Sequence, residues 1–305
     1  MKNSLKTISV LLFLLILSCY ANYLFQQSII EKGLKLNPST NIIVFGDSHS
    51  AAAFDPEFIS NSQNLSNWGE SIFFTYYKLK RLIENNPEHK ELTVILALSY
   101  HSLYKDRENM YDSIQRPKII QEYYSLLDDD GLDILKRKGT EYWLTKMKFD
   151  LGVPFNFKTN LEKYQGKVPF FTAGFEVNKT SHDVSIAHAI LKLKDHFENK
   201  QNPEMSSLLL AYLNNTIQLA KENNIRIVIA NTPLYKYYRD VVPNIVLSDY
   251  KRTIDKITDE NPSTRFFDFT NSISDSTLFF DTDHLNAAGA RRFSIKMDSC
   301  LKSTR

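Results

Sequence analysis

Two short motifs at opposite ends of the chain carry residues that could perform nucleophilic chemistry. The first is Gly46-Asp-Ser48, directly after the apolar run 41–45, and the second is Asp281-Thr-Asp-His284 near the C-terminus. A serine hydroxyl is a poor nucleophile at neutral pH until a base within hydrogen-bond reach takes its proton. An imidazole can be that base when a carboxylate fixes its tautomer, and the spacing of Asp281 and His284 permits this bond. The motifs predict a catalytic triad of Ser48, His284 and Asp281.

The elements that must bring the two motifs together alternate between strands and helices. Short apolar runs rich in β-branched residues are typical of buried parallel strands, and amphipathic helical periodicity lies between them. We predict strands at 41–45, 63–67, 92–98, 225–230 and 265–269, and helices at 70–84, 119–127, 132–148, 185–197, 205–223, 247–258 and 287–301. This alternation predicts an α/β fold with a parallel sheet and helices on both faces. Ligands of such sheets bind outside the carboxyl ends of the strands, where Ser48 is expected.

The alternation lapses between about 100 and 204. This segment carries helical periodicity and a section at 153–174 that is punctuated by proline and glycine. We interpret it as a mostly helical insertion, or cap, within a main domain that spans 40–305.

A Gly-Asp-Ser after the first strand, paired with Asp-x-x-His before the last helix, resembles the SGNH (GDSL-like) hydrolase superfamily. The sequence His284-Leu-Asn-x-x-Gly289 is similar to the continuation of the same family block. The resemblance covers about 40–98 and 205–302. It implies a three-layer, flavodoxin-like α/β/α fold and the hydrolysis or transfer of acyl esters through an acyl-serine, with no cofactor.

The apolar N-terminus and the insertion resemble bacterial relatives that work on cell-surface carbohydrate O-acylation, including the DltD-like and alginate-acetylation types. This narrower resemblance implies a carbohydrate ester, or another acyl ester, as the substrate. It also implies a membrane-embedded acyltransferase as a partner.

Members of the family stabilise the oxyanion with the backbone N–H of the serine, a glycine after the second strand and an asparagine after the third. Ser48 supplies the first donor, and Gly69 fits the glycine, although it could also be a glycine that simply ends a loop before a helix. No Gly-x-Asn-Asp sequence follows the third strand, so Asn67 or Ser99 could donate instead. Loss of one such donor typically costs about 10²–10³ in rate.

Four residues near the triad need their own interpretation. Asp47 is expected to brace the turn by accepting backbone hydrogen bonds. His49 could contact substrate at the mouth of the site, serve as a second base or be a solvated turn residue. Ser99 is a further possible substrate contact, and Asp283 is expected to cap the following helix.

The remaining histidines do not predict a metal site. His182, His188 and His196 have irregular spacing and no accompanying carboxylate motif, so we interpret them as exposed or helix-face residues. The chain has only two cysteines and no CxxC pair, which excludes the usual zinc frameworks.

The N-terminus has the pattern of a membrane-targeting segment. Two lysines precede the apolar run 8–25, as in a secretory signal or signal anchor, and 26–39 is interpreted as a stalk. Residues 1–25 are either an uncleaved single-span anchor or a lipoprotein signal with lipidation at Cys19, with simple secretion as a third alternative. Each alternative places the folded body outside the cytoplasm, on the cell membrane for the first two.

Composition excludes some classes of function. The 305 residues have 43% hydrophobic content and a net charge of +2, with basic residues scattered along the chain, which disfavours nucleic-acid binding. The prediction is therefore an extracytoplasmic serine esterase or O-acyltransferase. Two alternatives stay open: a weakly catalytic or non-catalytic binding or assembly subunit of a polysaccharide acylation system, and a lipid esterase.

Overall fold

A five-stranded parallel sheet forms the centre of the protein, with the strand order β2-β1-β3-β4-β5. This is the order of flavodoxin-like folds, and it confirms the predicted α/β class. The computed structural model describes residues 2–108, 123–138, 157–165, 167, 174–176, 183–197 and 203–303.

The strands are short and, at the centre of the sheet, fully buried. They are β1 (Ile42–Phe45), β2 (Ser62–Asn64), β3 (Thr93–Ala97), β4 (Arg226–Ala230) and β5 (Arg265–Phe267). All residues of β1 and β3 are buried, because helices cover both faces of the sheet and β-branched side chains pack well there. Phe45 pairs with Leu96, and Ala97 pairs with Ala230, so the strands end together at one rim.

The described helices range in length from four to 32 residues. They are α1 (Lys2–Gly33), α2 (Ser48–Ala53), α3 (Ile72–Asn85), α4 (Lys105–Glu108), α5 (Asp129–Lys138), α6 (Phe157–Tyr164), α7 (Ile186–His196), α8 (Ser207–Glu222), α9 (Lys236–Val241), α10 (Asn244–Glu260) and α11 (Ala287–Lys302), with short 3₁₀ turns at Tyr124–Leu126 and Ser276–Leu278. The predicted helix at 119–127 begins outside the described residues, and the one at 132–148 continues beyond them.

Several elements differ from the sequence predictions. Strand β5 ends at Phe267 and not at 269, because the amide of Phe269 donates to Oδ1 of Asn231 at 2.7 Å instead of to a neighbouring strand. Helices α2, α4, α6 and α9 were not predicted. The first and last of these are six residues long, too short to show a helical period.

The chain divides into two compact units. One contains Met1–Lys35 and Tyr111–Phe170, and the other contains Leu36–Met110 and Phe171–Arg305. The sheet and both chemical motifs belong to the second unit.

The first unit is built on α1. The segment Leu5–Gly33 is long and apolar enough to cross a membrane, and an 18-residue window within it has a mean hydropathy of 2.1. Towards its end, the side chain of Gln27 donates to the carbonyl of Ser125 at 3.1 Å, and the ammonium of Lys32 lies over the ring of Tyr164. The helix thus runs on into the segment predicted as a stalk and packs there against described parts of the same unit.

Candidate active site

The turn after β1 places Ser48 at the carboxyl rim of the sheet. Gly46 has a φ of +155°, and a Cβ there would lie 2.4 Å from Oγ of Ser50, so the turn requires glycine. Asp47 then caps α2 by accepting a hydrogen bond from the backbone N–H of His49 at 3.0 Å. Ser48 is therefore the first residue of α2, held by the turn on one side and the helix on the other.

A second loop, between β5 and α11, brings the imidazole of His284 to this hydroxyl. Nε2 of His284 lies 2.9 Å from Oγ of Ser48, although 236 positions separate the two residues. Nδ1 lies 3.0 Å from both carboxylate oxygens of Asp281. Asp281 also accepts the backbone N–H of His284 at 2.7 Å, which fixes the loop. The three residues predicted as the triad thus lie together in the geometry that proton transfer requires.

Asp283 does not have the role expected of it. The cap of α11 is Asn286, whose side chain accepts the backbone N–H of Gly289 at 3.0 Å. The helix begins only at Ala287, so Asp283 lies too early in the chain to cap it. Asp283 is buried instead, with Oδ1 3.5 Å from Nδ1 of His284. Two carboxylates therefore face the same imidazole nitrogen.

These carboxylates control the charge of His284. Burial disfavours the imidazolium, but the charge of Asp283 and the hydrogen bonds of Asp281 and Asp283 outweigh burial and raise the pKa of His284 to about 10. Burial likewise opposes the ionised form of Asp283, yet the charge of His284 holds the pKa of this carboxyl well below its usual range. At neutral pH the site therefore favours the imidazolium, which cannot accept a proton. A general base must be neutral, so His284 accepts the serine proton more readily at higher pH.

The loop that carries two of the predicted oxyanion donors borders the triad. The ring of Trp68 stacks on the imidazole of His284, with centroids 5.3 Å apart and an interplanar angle of 16°. On either side of Trp68, Gly69 has a positive φ of 71° and Asn67 is buried. The backbone N–H of Asn67 is not free to donate to a substrate, because it donates to the carbonyl of Gly46 at 3.0 Å.

The segment after β3 holds the other candidate, Ser99. It is buried, and its amide donates to Oγ of Ser102 at 2.9 Å, so this amide is also engaged within the protein. Two residues further on, His101 is fully buried with Nε2 3.0 Å from Oδ2 of Asp47. Burial lowers the pKa of His101 to about 3 despite this carboxylate, and the imidazole is neutral at physiological pH.

Sequence reasoning missed a cluster of histidines beside the triad. The rings of His101 and His196 stack with centroids 3.9 Å apart at an angle of 20°, and His49 packs against both His101 and His284. His49 is 2% exposed, which excludes the solvated-turn interpretation. Its Nε2 lies 3.2 Å from Oδ2 of Asp283, outside hydrogen-bond alignment.

His196 lies on a face of α7, as expected, and it also makes specific contacts. Its Nδ1 lies 2.6 Å from the hydroxyl of Tyr238, and its ring contacts the cluster. His182 lies outside the described residues. One sequence signal could have found this face of α7: His188, Lys192 and His196 follow each other at intervals of four, which places them on one side of a helix.

Two groups of side chains in the described parts of the chain could hold a metal ion: His49, His101 and His196, and His49, Asp283 and His284. In the first group one nitrogen from each ring lies within 4.8 Å of the others. An ion lies close to the plane of each imidazole that binds it. The stacked rings of His101 and His196 have nearly parallel planes, so one ion could not bind both without the rotation of a ring.

Comparison with known proteins gives little support beyond the geometry. No family model matches the chain, and no curated protein matches it. Among solved structures it is similar to "a putative platelet activating factor from Streptococcus pneumonia". The sequence identity is 11% and the TM-score is 0.41, over 97% of this chain and 98% of that one. A likeness at this level carries no argument about function, which must rest on the site itself.

Proposed function

We propose that the protein is a membrane-tethered serine esterase or O-acyltransferase of the SGNH type that acts on acyl esters of cell-surface carbohydrate. The observation that carries the proposal is the hydrogen-bonded series from Ser48 through His284 to Asp281, with distances of 2.9 and 3.0 Å. The parallel sheet and the apolar helix α1 are consistent with it. In this proposal α1 anchors the chain and the catalytic unit lies outside the cytoplasm.

The reaction proceeds in two half-reactions. Oγ of Ser48 attacks the acyl carbonyl while Nε2 of His284 takes its proton, and Asp281 stabilises the imidazolium that forms. The backbone amides of Ser48 and Gly69 stabilise the oxyanion. His284 then gives its proton to the departing sugar hydroxyl. Water deacylates the serine in hydrolysis, and a second hydroxyl deacylates it in transfer.

A direct test offers the protein acetylated sugars and measures the acetate or acetylated acceptor that forms. The wild-type chain should turn over an acetyl sugar, and Ser48→Ala should not. Ser60→Ala, which changes an exposed serine of the same unit, is the matched control and should retain full activity. Turnover of phospholipid esters alone would instead support the lipid esterase, and unchanged turnover in Ser48→Ala would contradict the proposal.

A binding or assembly subunit is the second candidate. It is favoured by the absence of a Gly-x-Asn-Asp sequence and by the hydrogen bonds within the protein that engage the backbone N–H groups of Asn67 and Ser99. A folded chain that binds the carbohydrate but turns over no ester at any pH would support this reading.

A further inference from the structure

Helix α7 lies outside the two stretches that resemble the SGNH family, yet one of its faces contacts the catalytic loop. Residues at intervals of four on an α-helix share a face, and three such side chains reach residues 281–283. The contacts are Nδ1 of His188 to Oγ1 of Thr282 at 3.4 Å, Nζ of Lys192 to Oδ2 of Asp281 at 3.2 Å and to Oδ1 of Asp283 at 3.7 Å, and Nε2 of His196 to Oδ2 of Asp283 at 3.7 Å.

Lys192 brings a full positive charge to these contacts. Burial would lower the pKa of its ammonium, but the charges of Asp283 and Asp281 outweigh burial and raise the pKa above its ordinary value. The ammonium is therefore fixed between the same two carboxylates that face Nδ1 of His284.

We infer that Lys192 is a positioning residue for the catalytic base: its ammonium offsets part of the charge of Asp281 and Asp283 and so limits how far these two carboxylates raise the basicity of His284. The inference rests on the proposed role of Ser48 as the nucleophile. It gives a role to helix α7 of the insertion, a segment to which the family resemblance assigns no role.

The physical argument is an electrostatic one. A single carboxylate orients a catalytic imidazole, whereas two stabilise the imidazolium so strongly that little neutral base remains at pH 7. A unit charge about 6 Å away, at an effective dielectric constant of about 20, changes a pKa by roughly one to two units. Each unit changes the neutral fraction of the imidazole about tenfold while the pH lies below the pKa.

Other charged and titratable groups surround His284, and they are the same in wild type and in any Lys192 variant. They are Asp281 and Asp283 on its own loop, Ser48 and His49 on α2, and His196 on α7, with Asp47, His101 and Arg107 behind His49. A difference between variants therefore reports Lys192 alone.

The test is the rate of Ser48 labelling by a fluorophosphonate, measured on the full chain from pH 6 to 10. Lys192→Met removes the charge and keeps the stem of the side chain, and Lys192→Arg keeps the charge. We expect the Lys192→Met curve to lie about one pH unit to the alkaline side of wild type, with a labelling rate roughly tenfold lower at pH 7.5. The Lys192→Arg curve should return close to wild type.

Two further variants separate charge from structure. Lys194→Met removes an exposed lysine of the same helix and should leave the curve in place. Asp283→Asn removes one of the two carboxylates and should move the curve to the acid side, whether or not Lys192→Met folds. Lys192→Met and wild-type curves that coincide would overturn the inference, and so would an Asp283→Asn curve at the wild-type position. No labelling of the wild type at any pH would contradict the proposed function instead.

Discussion

Asp281 and Asp283 both face Nδ1 of His284, but only Asp281 holds the ring in place. Asp281 bonds both to the imidazole and to the backbone N–H of His284, whereas Asp283 approaches the ring at 3.5 Å. In physical terms Asp281 fixes the tautomer that leaves Nε2 free to accept the serine proton, and Asp283 contributes mainly charge.

This difference predicts unequal effects of two matched substitutions. Asp281→Asn should lower the rate of Ser48 acylation by about 10²–10⁴, because the amide can hold the wrong tautomer of His284. Asp283→Asn should not slow acylation at neutral pH, since Asp281 still fixes the ring and the loss of one carboxylate moves the pH–rate curve to the acid side. The rates can be measured with p-nitrophenyl acetate. Equal losses in both variants would contradict the assignment of Asp281 as the orienting residue.

At this scale the sequence predicted that the side chains of Ser48, Asp281 and His284 would meet, but it did not predict their surroundings. Ser48, Asp281 and His284 are recognisable because motif spacing limits where they can lie. Lys192, His101 and His196 carry no local signal of their contacts, because these depend on how α7 packs against the catalytic loop. Asp283 is not the expected cap, because α11 begins at the predicted Ala287 and the residue before it, Asn286, provides the capping side chain.

Among the elements of the fold, the turn between β1 and α2 leaves no space for a side chain at Gly46. A Cβ at Gly46 would lie 2.4 Å from Oγ of Ser50 and 2.8 Å from the carbonyl oxygen of Ala97, and the carbonyl cannot move without disturbing the end of β3. The position also requires a backbone conformation that residues with side chains rarely adopt.

We therefore expect Gly46→Ala to lower the free energy of unfolding by on the order of 1–3 kcal/mol and to displace Ser48. Urea unfolding monitors the first effect, and the rate of Ser48 labelling in the fraction that stays folded monitors the second. A variant with wild-type stability and wild-type labelling would show that the turn does not position the nucleophile.

The order of elements was largely predictable, whereas their ends were not. Alternating apolar strands and amphipathic helices predicted the parallel sheet, because burial on both faces imposes that pattern. The end of β5 depended on a side-chain hydrogen bond from Asn231, which no local periodicity encodes. Short helices such as α2 escaped prediction because their formation depends on a cap and a turn more than on amphipathicity.

The second unit as a whole should be sensitive to acid. His101 has a pKa of about 3 in the folded protein against an ordinary value of 6.5, so the unfolded chain binds this proton more tightly. The pKa of His196 is also well below 6.5, because the ring is buried and His101 lies beside it. Stability from these neutral imidazoles is fully present above pH 6.5 and is lost as the pH falls from 6.5 towards 3.

The expected loss is on the order of 1 kcal/mol for each pH unit below 6.5 for each buried histidine. Urea unfolding of the detergent-solubilised chain at pH 7.5 and pH 5 measures it. His101→Gln keeps a donor for Asp47 but does not titrate, and it should lose less stability between the two pH values than wild type. An equal loss in both proteins would place the acid sensitivity elsewhere.

The central claim for the whole molecule is that His284 activates Ser48 across 236 positions of sequence. The most direct measurement is the site of a fluorophosphonate adduct, located by mass spectrometry after proteolysis of the full chain labelled at pH 9. The predicted result is an adduct on Ser48 alone, absent in Ser48→Ala and slowed by about 10²–10⁴ in His284→Ala. Folded wild-type protein that carries no adduct on Ser48, or labels there equally fast without His284, would contradict the account.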